Sequence, residues 1–150
     1  MRYQQKSGWC GPAAIQNAFR MHGTRISQVR IAAACKTSLE EGTDEPEMIE
    51  GIRHFNFTAI KYETSDPIAA WSWVLESLRN ERPVIICTLN WRHWVVAGAL
   101  LGNKVMVVDP TKEKFNLEEN GIAFQNKKDF MKRWIHNSSG IYSGISVGKK

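Results

Sequence analysis

The strongest constraint on the fold lies between residues 84 and 108. Val84-Ile85-Ile86-Cys87-Thr88-Leu89 is a β-branched run suited to a central strand, and His93 to Leu101, rich in Val and Trp, is a second. Gly102-Asn103 is a two-residue hairpin signal leading into Lys104-Val105-Met106-Val107-Val108. Asp109-Pro110 then stops that strand, because proline cannot donate to a sheet ladder. The second half of the chain is therefore expected to build an antiparallel sheet, ending in a strand around Ile141 to Val147.

The first half has a different texture. Pro12 is tolerated in a first helical turn, Ile15, Ala18, Phe19 and His22 follow at helical spacing, and Gly23 can close the helix. A second helix is expected from about Ile26 to Cys35. Asp44-Glu45-Pro46-Glu47 reads as a capping box, after which Met48, Ile49, Ile52 and Phe55 make one apolar face. Phe57 to Glu63 suits a short strand, and Asp66-Pro67 opens a helix carrying Ala70, Trp71, Val74, Leu75 and Leu78 up to Asn80. Trp71 and Trp73 stand two apart, so at most one is expected to point inward. A further helix is expected from Asn126 to Ile135, with Phe130, Met131 and Trp134 inward. Helices first and a mostly antiparallel sheet second is the order of an α+β fold. With 150 residues the chain fits one domain, 1–150, with a self-sufficient core.

Composition narrows the class. Apolar residues at 43% and charged residues at 23% exclude disorder. The longest apolar run, Trp94 to Leu101, is too short to span a bilayer, and no secretory signal follows Met1, so a cytoplasmic location is expected and no membrane partner. Cys10, Cys35 and Cys87 cannot all pair and form no CxxC unit, which argues against a disulfide framework or a zinc knuckle. The net charge of +5 is spread along the chain, as in a solvated basic surface, which argues against nucleic acid as the partner.

One cysteine stands apart. Cys10 opens the first helix, where unpaired amides and the helix dipole favour thiolate. A nucleophile also needs a base. His22 lies about three turns away on the same helix and cannot reach back, and His54 and His136 have no companion pattern. His93 begins one hairpin strand and Asp109 ends the other. In a regular hairpin His93 would face about position 112 and Asp109 would face Val96; a bulge or twist brings the two side chains together at the open end. A carboxylate there would hold the imidazole in one tautomer and support its charged form. Gln4 and Gln5 are both near enough in sequence to supply a side-chain amide to an oxyanion over Cys10. Cys35, on an Ala-rich helix, and Cys87, in a central strand, are expected to be structural.

Gln-x5-Cys-Gly-Pro-Ala-Ala at 4–14, His93-Trp94-Val95-Val96 and Val107-Val108-Asp109-Pro110 resemble the three signatures of the bacteriocin-processing, double-glycine-leader peptidases, a branch of the papain-like cysteine peptidases. The sixteen-residue step from His93 to Asp109, the Glu41-Gly42-Thr43 turn and the late Phe130–Trp134 helix are similar as well. The resemblance implies a papain-like fold with Cys10 as nucleophile, His93 as general base and acid, Asp109 as orienter and Gln4 as oxyanion donor. It also implies a peptide or protein substrate cleaved after small residues such as Gly, and no metal or organic cofactor. Trp9 stands where many of these peptidases carry Asp, which makes that side of the cleft bulkier; Trp94, with Trp91, flanks His93 as a candidate cleft wall. The membrane and nucleotide-binding segments of the exporter-linked members do not occur in this sequence, so a stand-alone domain is expected. Two other readings share the features: an acyltransferase or transpeptidase using the same three residues, and a non-catalytic peptide-binding module.

Overall fold

Every helix but the first starts at a residue whose side chain caps it. The computed structural model describes residues 3–6, 8–38, 42–88, 93–111 and 121–150. Helix α1 (Cys10–Met21) begins at the cysteine itself, with Pro12 in its first turn. Helix α2 (Gln28–Cys35) starts two residues later than the periodicity suggests, because Ser27 takes the N-cap and its side chain accepts from Arg30 N. Helix α3 (Glu45–His54) has the complete capping box, Asp44 and Glu47 each bonding the other's backbone N–H.

Strand β1 (Phe57–Thr64) is followed by α4 (Pro67–Arg79), capped by Asp66. Then come β2 (Val84–Thr88), β3 (His93–Leu101) and β4 (Lys104–Val108). The chain ends with β5 (Ile122–Asn126), α5 (Lys127–Trp134) and β6 (Tyr142–Lys149). Strand β5 carries no sequence expectation; it is an edge strand whose alternation is weak, with Ile122 half-buried and Phe124 exposed. Leu89, Trp91 and Glu41 lie outside the described residues.

The six strands form one antiparallel sheet in the order β1-β6-β2-β3-β4-β5. Helices cover both faces, α1 and α3 on one and α4 and α5 on the other. This double cover explains the unbroken apolar run of β2, all five residues of which are buried. Neighbours in sequence serve opposite cores: Ile85, Cys87, Trp94 and Val96 pack with Ile15, Phe19 and Met48. Val84, Ile86, Val95 and Ala97 pack instead with Val74, Phe130 and Trp134. Both Trp71 and Trp73 are half-buried against this second core, contrary to the expectation of a single inward ring. Trp71 sits beside Phe130, and Trp73 stacks on Tyr62 at 4.7 Å while covering Gly144, whose missing side chain makes the room.

The β3–β4 hairpin closes at Gly102-Asn103 as expected, with Leu101 opposite Lys104 and a positive φ at Gly102. Its register then shifts by one residue between Ala97 and Ala99. Beyond that bulge Ala97 faces Val107 and Val96 faces Val108. Continued one step, the register sets Asp109 against Val95 and so on the face of the sheet that carries His93. Without the extra residue Asp109 would face Val96 and point to the opposite face, since side chains alternate with a period of two. Gly98 occupies the bulge and lies against Met21 at the end of α1: a Cβ there would stand 2.6 Å from Met21 Cε.

Deleting Gly98 should force the hairpin either to break the Val105 and Leu100 packing or to carry Asp109 away from His93. The expected outcome is a lower melting temperature, followed by circular dichroism, together with loss of thiol reactivity at Cys10 in whatever fraction stays folded.

Candidate active site

Cys10 is half-buried at the first turn of α1, and Gly11 beside it explains the Cys-Gly-Pro sequence. A Cβ on Gly11 would come within 2.9 Å of Met48 Sδ and Thr43 Oγ1, so only glycine lets α1 approach the start of α3 this closely. Burial pushes the Cys10 thiol up. A hydrogen bond with the His93 side chain, backbone hydrogen bonds at Trp94 and Gly11, and the His93 charge together outweigh burial and hold the thiol below its usual value.

His93 is 1% exposed and Asp109 is fully buried. His93 Nε2 lies 2.7 Å from Asp109 Oδ1. Burial pushes the imidazole down, but hydrogen bonds to Asp109 and Cys10 and the charges of both raise it from 6.5 to about 9. The ring thus carries its proton at neutral pH, and its charge favours the thiolate form of the sulfur beside it. The result is a sulfur next to an imidazolium that a carboxylate braces.

A further residue, absent from the sequence expectations, completes this arrangement. Thr111 Oγ1 lies 3.0 Å from His93 Nε2 and donates to Asp109 Oδ1 at 3.0 Å, while Thr111 N donates to the same oxygen at 2.8 Å. The bulged register is the signal that could have revealed it, because the register continued past Asp109 puts position 111 opposite position 93. Asp109 Oδ2 is buried with no hydrogen-bond partner among the described residues.

The two glutamines separate. Gln5 is exposed, and its backbone N–H donates to Gln28 Oε1 at 3.0 Å. Gln4 is half-buried, its backbone N–H donates to Pro110 O at 3.1 Å, and its side-chain amide donates to Lys6 O at 3.0 Å. The Gln4 segment is therefore pinned to the strand end that carries Asp109. Trp9 is buried directly before Cys10, with the Lys6 ammonium 5.0 Å above its ring. Trp94 is also buried, and its Nε1 donates to Thr43 O at 3.0 Å, tying β3 to the approach to α3. The remaining histidines are occupied elsewhere: His22 contacts Val147 O, His54 packs on Phe55 and His136 contacts Ser139.

A cleft of ≈ 280 Å³ opens beside this group. It is lined by Thr43, Asp44, Glu45, Glu63, Cys87, Trp94 and Ser143. Two of these residues link it to Cys10: Trp94, whose backbone bonds the sulfur, and Cys87, which feels the Cys10 charge.

A half-buried cysteine sulfur, a buried imidazolium and a buried carboxylate make up the chemical group that a thiol-dependent acyl transfer requires. Comparison with known proteins identifies the class. The model of the peptidase C39 family matches residues 1–136. The chain belongs to the peptidase C39 family. It is accordingly a cysteine peptidase rather than a non-catalytic peptide-binding module. No curated protein matches the chain significantly by sequence.

Solved structures agree on the fold of the peptidase. The peptidase domain of Streptococcus ComA, a bifunctional ABC transporter involved in a quorum-sensing pathway, superposes with a TM-score of 0.72 at 17% identity, covering 99% of this chain and 97% of that one. A double-glycine-motif protease from an AMS/PCAT transporter, in complex with its leader peptide, gives 0.70 at 19% identity, with 99% and 89% covered. The peptidase domain of Streptococcus mutans ComA bound to a small-molecule inhibitor gives 0.58 at 16%, with 99% and 98% covered. These likenesses bear out the α+β papain-like architecture expected from the sequence. Among the described residues no helix is long and apolar enough to cross a membrane.

Burial raises Cys35 and Cys87 to about 12, so both stay protonated at neutral pH. Iodoacetamide at pH 7 should therefore alkylate Cys10 and spare the other two, as read by peptide mass spectrometry. The alkylation rate should rise with pH along an acid limb below 9. Replacing His93 with Ala should move that limb upward, because the sulfur then keeps the burial penalty and loses its counter-charge.

Proposed function

We propose that this C39 peptidase, acting as a single domain of residues 1–150, hydrolyses a peptide bond that follows small residues, Gly-Gly above all, through Cys10, His93 and Asp109. The observation that carries the reading is the His93 ring, which hydrogen-bonds Cys10 and Asp109 at once and keeps its proton up to about 9. The Gly-Gly preference is carried over from the double-glycine-motif protease whose fold this chain shares.

The geometry supports the following sequence of steps. Nε2 is engaged with Asp109 and Thr111, which leaves Nδ1 for the sulfur. The Cys10 thiolate attacks the scissile carbonyl carbon, and the π electrons move to oxygen to give a tetrahedral oxyanion. The Cys10 backbone N–H, at the helix start, and the Gln4 side-chain amide are the donors assigned to that oxygen. Gln4 can serve if its amide leaves Lys6 O, whereas Gln5 faces solvent. Such a donor typically contributes about 2.7–4 kcal/mol to the transition state.

Collapse of the intermediate breaks the C–N bond, and the amine leaves with the proton held by His93. The thioester that remains is attacked by water, whose proton passes to His93. The second collapse releases the carboxylic acid product and restores the thiolate–imidazolium pair. Asp109 stays ionised throughout and fixes the ring, helped by Thr111. Three free thiols suit a reducing compartment, which is consistent with the cytoplasm as the place of action.

With a fluorogenic peptide carrying Gly-Gly before the reporter, Cys10→Ala should abolish turnover and His93→Ala should lower kcat by roughly 10²–10⁴-fold. Asp109→Asn should cause a smaller but clear loss. Exchanging Gly-Gly for Leu-Leu should depress kcat/KM. The pH profile should rise through the lowered Cys10 pKa and fall again as His93 loses its proton near 9. Full activity of Cys10→Ala would remove the reading.

A further inference from the structure

The floor of the cleft is one straight row of side chains across four strands. Glu63 on β1 is paired with Ser143 on β6, and Cys87 on β2 is paired with Trp94 on β3. The β2–β6 register, with Ile86 opposite Gly144, carries the row from Ser143 to Cys87. The row starts beside the nucleophile, at Trp94 and Cys87, and ends at Glu63. Three strand spacings of about 4.8 Å make roughly 14 Å, the span of about four residues of extended peptide at 3.3 Å each.

The chemistry changes along this path. Near Cys10 it is aromatic and thiol; at the far end Glu45 overhangs from the first turn of α3 and Glu63 rises from β1. The whole chain has a net charge of +5, so a carboxylate-lined cleft runs against the general composition. The protein already places an alkylammonium at this end: Lys61 Nζ lies 2.7 Å from Glu45 Oε1, and Ser143 Oγ donates to Glu45 Oε2 at 2.8 Å. Asp44 is engaged in capping α3. Glu63 is exposed and makes no ion pair of its own among the described residues. Lys61 bonds Glu45 and feels the charge of Glu63 without an ion pair to it, so Glu63 is the carboxylate whose oxygens stay open to a ligand in the cleft.

We propose that Glu63 is a specificity-determining residue that favours substrates with a Lys or Arg side chain about four residues from the scissile bond. The inference rests on the peptidase reading above and adds to it the charge class of the substrate. A peptide lying along the row, with its small residues at the nucleophile, would bring a side chain at that distance over Glu63. A basic one gains an ion pair there, and an acidic one meets Glu63, Glu45 and Asp44. The contact is solvent-facing, so a rate ratio of about 5 is the scale to expect from one such pair.

The test uses twelve-residue peptides with Gly-Gly before the cleaved bond and Lys, Gln or Glu placed in turn at the third, fourth and fifth positions on either side. Wild-type enzyme should cleave the Lys peptide about fivefold faster than the Gln peptide at one of these positions, and the Glu peptide more slowly still. Glu63→Gln should flatten the preference and Glu63→Lys should invert it, both read as the ratio of Lys to Gln to Glu peptide rates within each variant. A flat wild-type profile at every position, or a Lys preference that survives Glu63→Lys, would overturn the proposal. Equilibrium binding of the same peptides to Cys10→Ala reads the preference without turnover. Failure of wild-type enzyme to cleave the Gln peptide, with a Lys preference still present in binding, would count against the peptidase reading alone.

Discussion

The chemistry of this protein depends on the contact between His93 and Asp109, and that contact depends on strand parity. A β-strand offers its side chains to alternate faces, so two residues on paired strands meet only if the register puts them on one face. The Gly102-Asn103 turn sets a register that fails this condition. One extra residue at Gly98 corrects it for the inner half of the hairpin and leaves the outer half packed as before, with Leu100 still opposite Val105. On one face of the sheet the bulge thus serves both the apolar packing against α4 and α5 and the meeting of His93 with Asp109.

The sulfur is positioned by a second constraint of the same kind. Gly11 lets α1 and the start of α3 come into contact, and the Trp94 indole, bonded to Thr43 O, joins α3 to the strand that carries His93. Cys10, His93 and the cleft roof are thus mutually located through two close contacts, neither of which involves the Cys10 or His93 side chain. Electrostatics then follow from position. Burial alone would leave Cys10 as inert as Cys35 and Cys87, and it is the buried imidazolium that reverses the sign.

Much of this was legible in the sequence, for identifiable reasons. The hairpin, the capping box at Asp44 and the helix from Pro67 are written in local turn and cap chemistry, and each was found within a residue or two. Cys10, His93, Asp109 and Gln4 stand out by residue type, order and spacing. What escaped depends on partners distant in the chain. Strand β5 is an edge strand with weak alternation, and the inward lean of both Trp71 and Trp73 needs Tyr62, Gly144 and Phe130 to receive them. Thr111 was invisible because its neighbour is set by the bulge, which a hairpin rule counted from the turn does not place.

The last strand of the chain lies in the middle of the sheet, between β1 and β2. Among the described residues it joins the edge that bears Glu63 to the strands that bear Cys87 and His93, and its pairing with β1 brings together residues up to some ninety positions apart. Contacts so remote in the chain are slow to form, because the intervening segment must first lose its freedom. A nascent or partly unfolded copy can therefore hold the hairpin and yet have no continuous trough for a substrate.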